Sequence, residues 1–392
     1  MAERFEGAAA GGATIASLSA FRRDLLAAVE PVDPVHLAPD AALGAVLAED
    51  LVAERPRPEW PIALLGGFAL ASIETVGASP YGPVMPSRLV AVAAGAELPE
   101  GCDAVVAADA IVRDLGLPMV QDLVAPGTNV LRAGAEIEAG TRFAAAGEPL
   151  GVIAAEVANL IGLGTIAVRR PRLALHHDGS PARASAAALL ARLAGRRATI
   201  VGPAATEDFG RLAADLHVAI GLGDRQAADP AVAALAERGW MGADGVAISP
   251  SDAVARGTFG RAPALVLPGR LDEIVATWLL VVEPLLARLA GAVPEAPSLP
   301  VRLARKIVSQ VGFGEVAYLA PLTSGGWDPV AVGRAWDPVA VGRASWAALA
   351  RARAWIELTP ESEGLAEGTE VLARPLGFDG ARYKWASFVI AA

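Results

Sequence analysis

At 392 residues with a net charge of −10, the chain is long enough for two to four domains with their own cores. That charge argues against nucleic acid, whose backbone rewards clustered Lys and Arg. Much of the 54% hydrophobic content is alanine, and the longest apolar stretch, Ile274 to Leu289, is broken by Glu283, Pro284 and Arg288, so no membrane span is expected. The single cysteine, Cys102, excludes an intramolecular disulfide and a cysteine-based zinc cluster and reads as a small half-buried hydrophobe.

The first residues carry Glu3, Arg4 and Glu6 ahead of an Ala/Gly run. This reads as a disordered leader and not as a secretion signal, so a soluble, cytoplasmic protein is expected. Residues 13–50 read as two helices. Phe21, Leu25, Leu26 and Val29 share one face of the first, which Pro31 and Pro34 end. Ala42, Leu43, Val46 and Leu47 suggest a second after Pro39-Asp40. Residues 62–146 are Gly-rich and β-like, with turns at Pro99-Glu100-Gly101 and Pro126-Gly127, and 149–164 return to helix through Ile153, Val157, Leu160 and Ile161. From 172 onward strand and helix alternate, as in a parallel α/β sheet: Leu173–Leu175, Ala198–Val201, His217–Ile220 and Ala264–Leu267 as strands, Ala184–Ala194 and Asp272–Leu289 as helices. A Pro-rich linker over Ala292–Pro300 precedes a small β domain. Within that domain, Trp327–Ala335 and Trp336–Ala344 are identical copies of Trp-Asp-Pro-Val-Ala-Val-Gly-Arg-Ala. Two copies cannot build a solenoid, so the duplication reads as a lengthened hairpin or loop, with a partner-binding loop anchored by two tryptophans as the alternative.

Two segments carry a family resemblance: Ala94-Gly95-Ala96-Glu97-Leu98-Pro99-Glu100-Gly101-Cys102-Asp103-Ala104-Val105-Val106, and Gly127-Thr128-Asn129-Val130-Leu131-Arg132-Ala133-Gly134-Ala135-Glu136-Ile137-Glu138-Ala139-Gly140. Weaker pieces at 42–50, 168–172, 267–269 and 360–368 follow in the same order. Together these resemble the MoeA family, the molybdopterin molybdotransferases and the gephyrin E domain, over about residues 17–375. The resemblance implies a split helical segment (13–50 and 147–170), an inserted β domain (51–146), a parallel α/β molybdopterin-binding-like domain (171–292) and a small C-terminal β domain (299–392). It also implies molybdopterin as the ligand, acidic residues that hold magnesium, lysines that bind anions, and a homodimer.

The chain departs from that kit at the residues that carry the chemistry. The family's Asp-Asn-Ser-Ala-Met-Asp-Gly-Tyr-Ala stands here as Pro61-Ile62-Ala63-Leu64-Leu65-Gly66-Gly67-Phe68-Ala69. Thr-Gly-Asp-Glu corresponds to Asp178-Gly179-Ser180-Pro181, and Lys-Pro-Gly-Lys-Pro to Ser249-Pro250-Ser251-Asp252-Ala253. The only lysines are Lys306 and Lys384. Carboxylates are the hard oxygen ligands that magnesium takes, and nearly all of them are gone while the Gly and Pro frame remains.

The residues carried over as ligand contacts are Gly221, Gly223, Asp224, Arg132, Glu136, Asp178, Pro268 and Gly269, with no catalytic and no metal-binding assignment. Gly221-Leu222-Gly223-Asp224 follows a strand and could present amides to a phosphate, or form an ordinary turn. Arg132 and Glu136 could touch ligand or pair with each other at the surface. His176 and His177 point to opposite faces of a strand and make a poor metal pair; His36 and His217 read as structural. The expected function is a non-catalytic molybdopterin-binding or molybdoenzyme-assembly factor, with a molybdoenzyme or cofactor-biosynthesis partner and no role for magnesium unless the site is rearranged. Two alternatives stay open: a divergent transferase using Asp224, Glu136, Asp178 and Asp252, or a structural partner without ligand. In the first case Asp215, Asp229 or Asp244 could compensate for missing acids.

Overall fold

A computed structural model describes residues 15–114, 116–223, 229–294, 299–322, 325–332 and 344–376. The chain forms two compact units: one of Met1–Glu49, Gly147–Val152 and Thr165–Ala392, the other of Asp50–Ala146 and Ile153–Gly164.

The larger unit begins with the helix Leu18–Ala27. Ser17 caps it by accepting from the Ala20 amide at 3.3 Å, and Leu18, Phe21 and Leu25 bury one face. The expected second helix is cut to one turn, Pro39–Ala42. Leu43 is extended and Gly44 is left-handed at φ 76°, with Arg196 Cβ 2.9 Å from where a Gly44 Cβ would stand. Val46–Leu47 is instead a strand in an antiparallel sheet with Ile166–Arg169 and Val35–Leu37. The spacing of apolar residues over so short a stretch serves helix and strand alike, so this segment is part sheet where a helix was expected.

At the centre stands a six-stranded sheet in the order Thr199–Ala205, Arg172–His177, Leu216–Ile220, Ala262–Leu267, Ala255–Phe259, Trp240–Asp244. The first four strands are parallel and the last two antiparallel. The antiparallel pair and the helix Pro230–Arg238 add to the elements expected from sequence. One face of the sheet, Leu173, Leu175, Leu216, Val218, Ile220, Leu265 and Leu267, packs on the Pro181–Ala194 helix, the Leu18–Ala27 helix and the last helical segments. Burying each such side chain contributes about 1.5–3 kcal/mol. The other face, with Ala219, Ala264 and Val266, packs on Phe209 and Leu235. The closing segment is not one α-helix. It runs as Leu271–Thr277, a π-helical stretch Trp278–Val282, and Glu283–Leu289; Pro284 has no N–H for an i−4 carbonyl, so the regular ladder cannot pass through it.

The C-terminal part is a five-stranded antiparallel sheet in the order Leu299–Arg302, Glu370–Pro375, Ala354–Leu358, Glu315–Pro321, Trp327–Val332. The Glu315–Pro321 strand serves two cores by its alternation: Ala317 and Leu319 face Val301 and Ile356, while Val316 and Tyr318 join the large core. The first repeat copy begins as the Trp327–Val332 strand, and Ala344, the last residue of the second, is buried. The rest of the repeat, including Trp336, lies outside the described residues. No helix among the described residues is long and apolar enough to cross a membrane.

In the smaller unit, Gly67–Leu70 lies between Val90–Val92 and Ala104–Ala107. A Cβ on Gly67 would stand 2.0 Å from the Val106 carbonyl oxygen, so the strand closes only over glycine. Gly67→Ala is therefore expected to lower stability by about 1–3 kcal/mol. Urea unfolding of the purified variant measures this, and a wild-type midpoint would refute the close approach.

Candidate ligand site at the parallel strand ends

In chain order the strand Arg172–His177 comes first and Leu216–Ile220 third, and they are neighbours, with the second strand, Thr199–Ala205, on the outer side of the first. The winding reverses between them. In an open α/β sheet the crevice outside the carboxyl ends at such a reversal is where ligands sit. The loops His177–Ser180, Gly221–Gly223 and Pro268–Gly269 all leave strands at this edge.

Each loop is fixed by its own chemistry. Asp178 Oδ1 accepts from the Ser180 amide at 3.0 Å and His177 Nδ1 accepts from the Gly179 amide at 3.0 Å, which turns the chain into the Pro181–Ala194 helix. Arg183, on the first turn of that helix, forms an ion pair with Asp178 and donates from Nε to the Gly221 carbonyl at 3.2 Å. It thereby spans the reversal point. The Ser180 side chain first, then the Ser180 amide, and further behind them Arg183, hold the Asp178 carboxyl below its ordinary range.

Gly221 has no room for a side chain: a Cβ would meet Asp229 Oδ2 at 2.3 Å and Val266 Cγ1 at 2.8 Å. Gly223 is left-handed at φ 76°, close to Pro268 and Gly269. The Gly221 amide donates to the Leu267 carbonyl at 2.8 Å and the Leu222 amide to Asp229 Oδ2 at 2.5 Å. Those two amides serve the fold, so the loop does not offer them to a phosphate as the Gly-rich pattern suggested. Asp229 also caps the Pro230–Arg238 helix through the Ala231 amide at 2.8 Å. After Pro268-Gly269, Arg270 is largely exposed and lies 3.5 Å from Asp272 and 3.7 Å from Glu273, both of them buried.

Gly221, Gly223, Asp178, Pro268 and Gly269 therefore gather at one edge. Asp224 lies outside the described residues. Arg132 and Glu136 belong to the smaller unit, where Glu136 pairs with Arg57 at 3.1 Å and not with Arg132; Arg57 also donates to the Leu160 carbonyl at 2.7 Å. The acids that could have compensated already have partners. Asp215 binds Arg172 at the opposite end of the strands, with its Oδ2 2.7 Å from the Arg172 amide, and Asp252 and Asp244 also have interaction partners. Among the described residues no group of three or more His, Cys, Asp or Glu could hold a metal ion. Arg183 and Arg270 were not singled out from sequence, since an arginine six or three residues past a strand end carries no motif.

Residues 16–164 match the family model of the MoeA N-terminal region, domains I and II. A molybdopterin biosynthesis MoeA protein from Pyrococcus horikoshii superposes with a TM-score of 0.70 at 21% identity, covering 94% of this chain and 100% of that one. Residues 16–164 are thus similar to the MoeA N-terminal region, and the chain as a whole has a MoeA-like fold. A second Pyrococcus horikoshii MoeA structure gives a TM-score of 0.66 at 18% identity, covering 91% of this chain and 99% of the other. A molybdopterin molybdenumtransferase of Synechococcus elongatus is 29% identical over 142 residues, 31% of this chain and 35% of the relative. The MoeA-like chain thus spans about a third of the length of that curated relative.

Beneath the strand ends, this MoeA-like sheet buries two histidines. His217 Nδ1 lies 3.4 Å from His176 Nε2, and His176 Nδ1 lies 3.3 Å from the Ala205 carbonyl. Both rings pack against Phe209, and His217 also against Phe259. Neighbouring strands bring them together, which no sequence spacing foretells. Burial first, and then the adjacent His176, push His217 down to about 4, and burial lowers His176 too. The unfolded chain takes up the His217 proton near pH 6.5 and the folded one only near 4. Stability from His217 is therefore complete above pH 6.5 and falls as the pH drops towards 4, by up to about 3 kcal/mol. His217→Phe is expected to flatten the urea midpoint between pH 6.5 and 4 relative to wild type; parallel pH profiles would refute the burial account.

Proposed function

We propose that this chain acts in molybdenum cofactor biosynthesis as a holder of molybdopterin or of a molybdoenzyme partner, and not as the catalyst of metal insertion. The observation that carries this reading is the crevice at the winding reversal. It keeps its glycine and proline loops, while Asp178 and Asp229 are consumed by amides and by Arg183. Carboxylates so engaged do not fit a magnesium ion, whose binding would cost those bonds. The anionic phosphate and dithiolene of molybdopterin would instead meet the Arg183 and Arg270 guanidiniums, which are always charged and have several donors each.

The geometry supports recognition more than chemistry. Arg183 is oriented by Asp178 and Gly221, and Arg270 by two buried carboxylates, so each would meet an anion with little further loss of side-chain freedom. A homodimer, as the family resemblance implies, is the assembly we assign to it. A second reading, a scaffold with no ligand, is favoured by the internal use of the Gly221 and Leu222 amides. Pterin binding separates the two. Molybdopterin retained by the purified protein, read by oxidation to its fluorescent form, is expected at near-stoichiometric level, with Arg183→Ala lowering affinity by roughly tenfold, the scale of one charge-assisted contact. No detectable pterin on the wild type would leave the scaffold reading.

A further inference from the structure

Behind the Pro268–Gly269 turn, the start of the Leu271–Thr277 helix and the Glu315–Pro321 strand line a cavity of about 10 Å³, the size of one water sphere. Pro250, Ala276, Val316 and Ala344 line it together with the polar residues Ser249, Asp272 and Tyr318. Asp272 is 3% exposed and Tyr318 3%, yet neither Asp272 Oδ2 nor the Tyr318 hydroxyl has a hydrogen-bond partner among the described residues. Arg270 lies on the other carboxylate oxygen, Oδ1, at 3.5 Å. Buried polar groups carry the full desolvation cost when left unpaired, and pairs of this kind are ordinarily completed by an internal water.

We propose that this cavity is a binding site for a single water molecule that accepts from the Tyr318 hydroxyl and donates to Asp272 Oδ2. Water alone of the candidate occupants matches both ends. A phenol has one proton to give and an ionised carboxylate only accepts, so the bridge must accept on one side and donate on the other. A small metal cation would leave the Tyr318 proton directed at hydrocarbon and would find too few oxygens in these walls. Burial, and then the Asp272 charge, push the Tyr318 phenol upward, so the hydroxyl keeps its proton and stays a donor. The water joins the helix behind the Pro268–Gly269 turn to the C-terminal sheet, and it stands whether or not the crevice binds pterin.

A high-resolution crystal structure of the ligand-free protein tests it. The expected result is one ordered water at about 2.7–3.0 Å from both oxygens. A direct Asp272–Tyr318 bond, an empty cavity, or a metal ion with shorter contacts would overturn it. Urea unfolding of Tyr318→Phe, Asp272→Asn and the double variant should show the two changes coupled by about threefold or more in the unfolding constant; strict additivity would count against the bridge. Should Asp272→Asn fail to fold, Tyr318→Phe decides alone: a lowered midpoint with the water displaced supports the site, and an unchanged midpoint sinks it.

Discussion

Parallel strands that are neighbours in a sheet must end at the same edge, and the loops that leave them must share the space there. In this chain three such loops, after Arg172–His177, Leu216–Ile220 and Ala262–Leu267, converge where the winding reverses. That crowding is tolerable only with glycine at its centre. The Gly221 carbonyl stands 2.9 Å from where a Gly269 Cβ would be, and a Gly223 Cβ would meet Pro268 at 3.2 Å. Everything functional in the larger unit depends on this convergence: the Asp178 turn, the reach of Arg183 to Gly221, and the position of Arg270.

On the proposed reading, the same convergence explains how a frame could outlast its chemistry. Glycine and proline at these turns answer to backbone geometry, and their replacement would cost the fold. A metal-ligating carboxylate answers only to the ligand. Where no ion has to be held, such a position is free to carry other residues, and an acid such as Asp229 can serve the fold, accepting from the Leu222 and Ala231 amides. On that reading the arginines that approach the crevice would recognise an anion directly, without a bridging cation.

Much of the architecture was legible in the chain. The alternation of apolar runs and helices from Leu173 to Leu267 marks a parallel sheet because both of its faces are covered; of the face expected on the first helix, Phe21 and Leu25 are buried and Leu26 half-buried, while Val29 is buried just past the helix end. What escaped was set by long-range pairing. Val46–Leu47 becomes a strand because Val168 and Arg169 lie alongside. The antiparallel strands Ala255–Phe259 and Trp240–Asp244 have a pattern broken by Gly257 and Gly242. For the site, the glycines and Asp178 were readable because turns have local signatures. The partners were not: Arg57 for Glu136, His217 for His176, and Tyr318 across the cavity from Asp272 are all set by tertiary contact.

On the proposed reading the crevice recognises an anion without a cation and performs no insertion chemistry. The most direct measurement is a molybdate-insertion assay with molybdopterin, molybdate and magnesium, comparing this protein with a no-protein control. Indistinguishable rates are expected at every magnesium concentration. Magnesium-dependent turnover well above the control would contradict it.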